Sequence, residues 1–140
     1  MCIAYRIPVV ALALFTASAN AELSCPDTLA VSQNANPPSA QWQILKADRL
    51  SRLIGITIYD GLPASNKKVR PASTQTRGGA MTIKWVLPHS PRSHYLVCSY
   101  EMTTVRLYTA LPPGVNYCEA AHDLDVPAVG GNPIKRMFCR

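Results

Sequence analysis

Cysteine placement sets the first limit on how this chain can fold. Residues 1–21 have the features of a signal peptide: Arg6 precedes a mostly apolar run over 7–15, and Ala19-Asn20-Ala21 matches a small-x-small cleavage site. Cleavage there also removes Cys2 and leaves Cys25, Cys98, Cys118 and Cys139. An even number of cysteines in a short exported chain favours disulfides, so we expect a periplasmic protein stapled by two bridges.

Cys25 raises the alternative of a lipoprotein whose mature chain begins at an acylated cysteine. Glu22, three positions upstream, stands where such proteins have an apolar residue, and Cys25 lies well past the apolar run. We therefore expect the exported chain to be unlipidated. We also expect no transmembrane segment, because no other apolar run approaches the roughly 20 residues that a spanning helix needs.

Strand register indicates which cysteines pair. Residues that face each other in an antiparallel hairpin have a constant index sum, and pairing Cys118 with Cys139 centres the hairpin beside the Gly-Gly turn signal at 130–131. Pairing Cys98 with Cys118 would instead centre the turn inside a strand-like run. We therefore predict the bridge Cys118–Cys139 and, by elimination, the bridge Cys25–Cys98.

Short strand-like runs alternate with proline and glycine along the chain. Ile54, Ile56 and Ile58 alternate with small or polar residues and share one predicted face, and Asp60-Gly61 ends that run at a turn. The predicted strands cover 54–61, 81–87, 94–100, 104–110, 115–120 and 134–140. Residues 62–80 predict a long polar loop, residues 22–40 are loop-like, and 41–53 fit a helix or a strand. The pattern predicts an all-β fold, a small antiparallel β-sandwich or barrel-like meander, as a single domain over 22–140.

The sequence lacks an assembled set of catalytic or metal-binding residues. The cysteines have no Cys-x₂-Cys spacing, and no serine lies in a Gly-x-Ser-x-Gly motif. The late carboxylates are expected to be solvated charges of turns and edges rather than a facing catalytic pair; they are Glu101, Glu119, Asp123 and Asp125. We therefore expect no metal, no cofactor and no enzymatic activity.

Positive charge points to the nature of a partner. The chain has a net charge of +6, which suits an acidic partner, but its basic residues are scattered without interleaved aromatics, so nucleic-acid binding is not expected. The polar 62–80 loop holds the tightest basic group, and a stiff stapled scaffold presents such a loop at a low ordering cost. The candidate partner-binding residues are Lys67, Lys68, Arg70, Arg77, His89 and Arg92.

Tyrosines supply a second candidate surface. Tyr95, Tyr100, Tyr108 and Tyr117 are expected to be ordinary strand aromatics. The alternative is a face that contacts carbohydrate or peptide, which requires several of them to share the exposed side of one sheet.

Short motifs follow one another along the chain in a recognisable order: "LSCPDTL", "GITIYDGLP", "WVLP", "YLVCSY", "LPPGVNYC" and the final "CR". In this order, and with this cysteine placement, the chain resembles a family of small exported proteobacterial proteins with four cysteines. Some members look like immunity proteins associated with type VI secretion. The resemblance implies a periplasmic protein that inhibits a peptidoglycan-targeting effector enzyme by binding it. The alternative is a non-enzymatic envelope module that binds glycan or an anionic polymer.

Overall fold

The computed structural model of this protein describes residues 22–32, 39–41 and 49–140. Its strands are β1 (Thr28–Val31), β2 (Arg49–Asp60), β3 (Ser73–Arg77), β4 (Ala80–Val86), β5 (His94–Tyr100), β6 (Arg106–Ala110), β7 (Tyr117–Asp123) and β8 (Ile134–Cys139). A 3₁₀ turn over Pro63–Ser65 follows β2. The predicted signal peptide, 1–21, lies outside the described ranges, as do residues 33–38 of the predicted loop and residues 42–48 of the ambiguous segment 41–53. Residues 49–53 of that segment belong to β2.

The strands form two four-stranded antiparallel sheets. Sheet I has the order β1-β2-β5-β6, and sheet II has the order β3-β4-β7-β8. Both sheets contribute to one core, because Ile58 and Leu96 of sheet I belong to the same buried cluster as Trp85 and Met137 of sheet II. The predicted all-β fold is confirmed, since strands in which apolar and polar residues alternate bury one face against a second sheet.

An irregularity in β2 changes which of its side chains face the core. The register against β5 shifts between Leu53 and Gly55, so one residue is left unpaired there. In a regular strand, Leu53 and Ile58 would point to opposite faces, because one has an odd and the other an even position. Both are nevertheless buried, as the irregularity between them allows. Ile54 therefore does not share the core face with Ile56 and Ile58, and the predicted alternation is wrong at that position.

The β7–β8 hairpin has the predicted register. Cys118 faces Cys139, and the pairing keeps the same index sum to Arg136, beyond which a shift leaves Lys135 unpaired. The two cysteines are fully buried and bridged, with their Cα atoms 4.1 Å apart. The predicted pairing of Cys118 with Cys139 is confirmed.

The second bridge ties the N-terminal segment to the middle of sheet I. Cys25 is bridged to Cys98 of β5, as predicted, with a Cα–Cα distance of 6.0 Å. Next to the bridge, the Tyr100 hydroxyl donates to the Pro26 carbonyl over 3.0 Å. The following residues form β1 along β2. The prediction of a loop over 22–40 is therefore wrong for Thr28–Val31, a run too short to show strand periodicity.

The polar segment 62–80 is not one long loop. Its second half forms β3, which pairs with β4 across a turn at Gly78-Gly79. Four of the five β3 residues are exposed, and the strand lies at the edge of sheet II. Its side chains are polar because an edge strand over solvent needs no apolar face, and this composition concealed the strand in the sequence. The loop prediction is correct only for the part of the segment before β3.

Candidate functional site

A polar cluster forms where β2 ends beside the start of β5. Asp60 is the last residue of β2. Its carboxylate accepts a hydrogen bond from Ser90 Oγ over 2.7 Å and forms an ion pair with the Arg92 guanidinium. Gly61 follows with φ +92°, and a Cβ there would lie 3.4 Å from Arg92 Cδ. Glycine thus provides both the turn and the space for the arginine to lie against it.

The cluster holds the Asp60 carboxylate in its charged form. The hydrogen bond from Arg92, followed by that from Ser90, lowers the pKa of Asp60 to about 2. The Ser90 hydroxyl also accepts from the Arg92 backbone N–H over 3.2 Å. Arg92 is therefore held by its main chain and its side chain together.

Arg92 and Lys67 line one groove of about 400 Å³ at this end of sheet I. Its wall includes the exposed side chain of Leu62 and the ring of Tyr95. The residues that line it are Asp60, Gly61, Leu62, Ser65, Lys67, Arg92, Ser93 and Tyr95. The groove therefore combines two cationic side chains with an apolar and aromatic wall.

Backbone hydrogen bonds hold the Lys67 side of the groove against β2. The Asp60 N–H donates to the Lys67 carbonyl over 2.9 Å, and the Val69 N–H donates to the Ile58 carbonyl over 2.8 Å. Lys68 forms an isolated antiparallel bridge with Tyr59. The segment 67–69 thus lies along the end of β2, on the side where β1 pairs with the start of that strand. Its lysine side chains are exposed.

The six predicted partner-binding residues lie in more than one region of the structure. Lys67 and Arg92 meet in the groove, and Lys68 and Arg70 are exposed on the segment that borders it. His89 is exposed in the connection between β4 and β5. Arg77 belongs to a different surface, since it ends β3 at the tip of the β3–β4 hairpin of sheet II.

Two tyrosines extend the groove along the outer face of sheet I. Tyr95 packs on Tyr108 of β6 with ring centroids 6.3 Å apart. Tyr100 faces the core, and Tyr117 lies on sheet II beside Phe138. Of the four tyrosines considered in the sequence, only Tyr95 and Tyr108 thus share the outer face of one sheet.

Most of the late carboxylates are paired with cations, contrary to the expectation of solvated charges. Glu101 and Asp123 are largely buried and bind Arg52 and Lys135 at 2.7 and 2.9 Å. The Arg52 hydrogen bond lowers the pKa of Glu101, and that from Lys135 lowers the pKa of Asp123. Glu119 binds Arg136 at 3.4 Å and Lys84 at 3.9 Å. These carboxylates are held in structural ion pairs, whereas Asp125 is exposed.

Among the described residues, no group of three or more His, Cys, Asp or Glu side chains could hold a metal ion. No helix in that part of the chain has the length and apolar character to cross a membrane.

Sequence reasoning missed the residues that shape the groove. Asp60 has the pattern of a turn residue, and nothing in the sequence indicates that it anchors Arg92, which lies 32 positions later. Ser90 and Leu62 likewise occur in proline-rich connections without a motif. The signal that did point to this region was the basic group at 67–70.

Comparison with known families gives one match. The model of a family described as Type VI secretion system Tli immunity protein matches residues 46–140. That range contains β2 to β8 and all residues of the groove, whereas β1 and Cys25 precede it. A search of curated proteins and a search of solved structures found no match.

Proposed function

This chain belongs to the Tli immunity protein family of type VI secretion systems, and we propose that it neutralises its effector enzyme by direct binding in the periplasm. The match over 46–140 carries the proposal. Two buried disulfides support the location, because such bridges persist in oxidising compartments.

The proposed mode of action is occlusion rather than chemistry. A scaffold whose connections are tied by disulfides and backbone hydrogen bonds loses little conformational freedom on binding, so more of the contact energy appears as affinity. The groove, the neighbouring loops and the exposed Tyr108 offer contact surface on such a scaffold. The described residues therefore favour a binding protein that blocks its partner.

The proposed target of the effector is peptidoglycan. The support for this part is the proposed compartment, since an effector enzyme delivered to the periplasm meets the cell wall there. Release of soluble muropeptides by the purified effector supports this part. An effector that degrades another envelope component and leaves the wall intact refutes it, while neutralisation by binding still stands.

The test of neutralisation is protection of cells. The product of the gene adjacent to this one is expressed in the periplasm of a sensitive strain, with the full chain or with a chain lacking residues 1–21. We expect survival only with the full chain, and co-elution of the two purified proteins on size exclusion. Absence of either a complex or protection refutes the proposed function, because neutralisation by binding requires both. Equal protection by the two chains refutes the periplasmic location.

A further inference from the structure

We propose that the groove lined by Lys67, Arg92 and Tyr95, together with Tyr108 beside it, is the effector-binding surface, and that it receives a carboxylate-bearing segment of the effector. This inference rests on the proposed function. It adds the site of contact and the chemistry of the partner's contacting segment.

Charge is the first argument for an acidic occupant. Lys67, Lys68 and Arg70 lie within four positions, and none of them forms an ion pair with a carboxylate of the described residues. Within the groove, Asp60 balances only Arg92. The groove and its border therefore carry excess positive charge, which attracts an acidic surface and raises the association rate.

Preorganisation is the second argument. Arg92 uses Nε and Nη2 to bind Asp60, whereas its Nη1 has no acceptor among the described residues. A guanidinium held on one edge presents its remaining donors in a defined direction, so it loses little rotamer freedom on binding a carboxylate. Lys67 starts from a backbone tied to Asp60. The Arg92 guanidinium is thus oriented before binding, and the backbone that carries Lys67 is held in place.

Exposed apolar surface beside the charges is the third argument. The Leu62 side chain is 57% exposed and that of Tyr108 is 63% exposed. Tyr95 joins them, because it lines the groove and packs on Tyr108. Tyrosine and arginine are enriched among the residues that dominate protein–protein binding energy. This composition favours a protein segment over a simple anion.

The outer face of sheet II also combines arginine with aromatic rings, but its groups are already engaged. Arg136 binds Glu119 and lies 5.4 Å from the centroid of the Phe138 ring. Arg140 lies over both Tyr117 and Phe138. A partner there would have to displace these contacts.

A third surface, near the start of β2, is apolar but has no identified occupant. Leu50, Met102 and Val129 are exposed there. Arg49 and Leu50 directly follow residues outside the described ranges, and nothing in the structure shows what covers this end. Of the three surfaces, the observations therefore favour the basic groove as the binding surface.

Two variants test the groove, and one serves as a matched control. The control, Arg77→Glu, reverses an exposed charge of sheet II that forms no ion pair among the described residues. Binding to the purified product of the adjacent gene is measured by surface plasmon resonance at several salt concentrations. We expect Lys67→Glu to lower the association rate constant about tenfold at low salt and to weaken its salt dependence. Tyr108→Ala is expected to raise Kd about tenfold through faster dissociation.

The control separates a specific groove from general attraction. Arg77→Glu is expected to change Kd by less than about twofold, since it lies away from the groove. Circular dichroism and thermal unfolding establish that each variant is folded. An equal loss with Arg77→Glu and Lys67→Glu overturns the proposal, as does wild-type binding that neither groove variant alters. In that second case the proposed function stands, whereas failure of the wild-type protein to bind overturns both.

The competing occupant is a glycan. Soluble peptidoglycan fragments are titrated into the wild-type protein and Lys67→Glu by calorimetry. We expect no saturable binding. Saturable binding that Lys67→Glu abolishes, with unchanged effector affinity, overturns the proposal and assigns the groove to glycan.

Discussion

Removal of the Cys25–Cys98 bridge is expected to destabilise the protein more than removal of the Cys118–Cys139 bridge. A disulfide limits the conformations of the unfolded chain, and the limitation grows with the length of chain that it closes. The two bridges close 73 and 21 residues. All four cysteines are buried, so paired replacement by alanine leaves comparable small voids in both variants.

The difference between the two losses follows from loop length. The chain-entropy relation gives about 4.4 kcal/mol for the bridge that closes 73 residues and about 3.3 kcal/mol for the one that closes 21. The predicted difference in the free energy of unfolding is therefore about 1 kcal/mol. Contacts near Cys25, such as the hydrogen bond from Tyr100 to Pro26, remain in the variant and hold the N-terminal segment in place.

Urea unfolding followed by circular dichroism measures this difference. The proteins compared are wild type, Cys25→Ala/Cys98→Ala and Cys118→Ala/Cys139→Ala, with the m-value fitted separately for each because the unfolded chains differ in compactness. The loop-entropy reasoning predicts the larger loss in free energy of unfolding for Cys25→Ala/Cys98→Ala. An equal or larger loss for Cys118→Ala/Cys139→Ala would falsify it. It would show that the buried hairpin bridge stabilises the folded core itself.

Three further changes follow from individual contacts. Leu96→Ala removes a fully buried side chain from β5 and is expected to cost about 2–5 kcal/mol in urea unfolding, whereas Thr109→Ala on the exposed edge strand should cost less than about 0.5 kcal/mol. Gly79→Ala should lower the melting temperature more than Gly78→Ala. Both glycines have positive φ, but only at Gly79 would the new Cβ clash with the Asp125 carboxylate, while nothing lies within 4 Å at Gly78. Equal melting temperatures would show that Asp125 moves aside freely. Wild type should have a higher free energy of unfolding than Asp60→Asn. This difference should be constant near neutral pH and shrink as the pH falls from about 4 to about 2. The reason is that Arg92 and Ser90 lower the folded-state pKa of Asp60 from 3.8 to about 2, and stability from a lowered pKa is lost on acidification. Denaturant titrations across that range measure the difference, and a gap independent of pH contradicts the ion-pair account.

Strand prediction succeeded where local pattern and burial agree. β5 has the predicted bounds, His94–Tyr100, because a central strand that is apolar on both faces leaves no ambiguity. β3 was missed because an exposed edge strand needs no apolar residues. The bulge at Ile54 was missed because it arises from pairing with β5 and leaves no periodic signal in β2 itself.

The predicted basic group and the groove coincide only in part. A basic group at 67–70 is visible in the sequence as a local cluster, but its relation to Arg92 is not. Asp60 joins the two, through backbone hydrogen bonding on one side and an ion pair on the other. The sequence predicts one loop that contains both Lys67 and Arg77, whereas in the structure Arg77 lies in the β3–β4 hairpin, away from Lys67.

The sequence by itself determined the all-β class and the pairing of the cysteines. Both follow from local rules: two-residue periodicity, turn chemistry, and a hairpin register that a Gly-Gly turn centres. The tertiary structure alone decided that Lys67 and Arg92 face one groove, that Tyr95 and Tyr108 extend it, and that Arg77 lies elsewhere. The physical reason is that these side chains meet through pairing between strands far apart in the chain, and that pairing is a property of the assembled sheets.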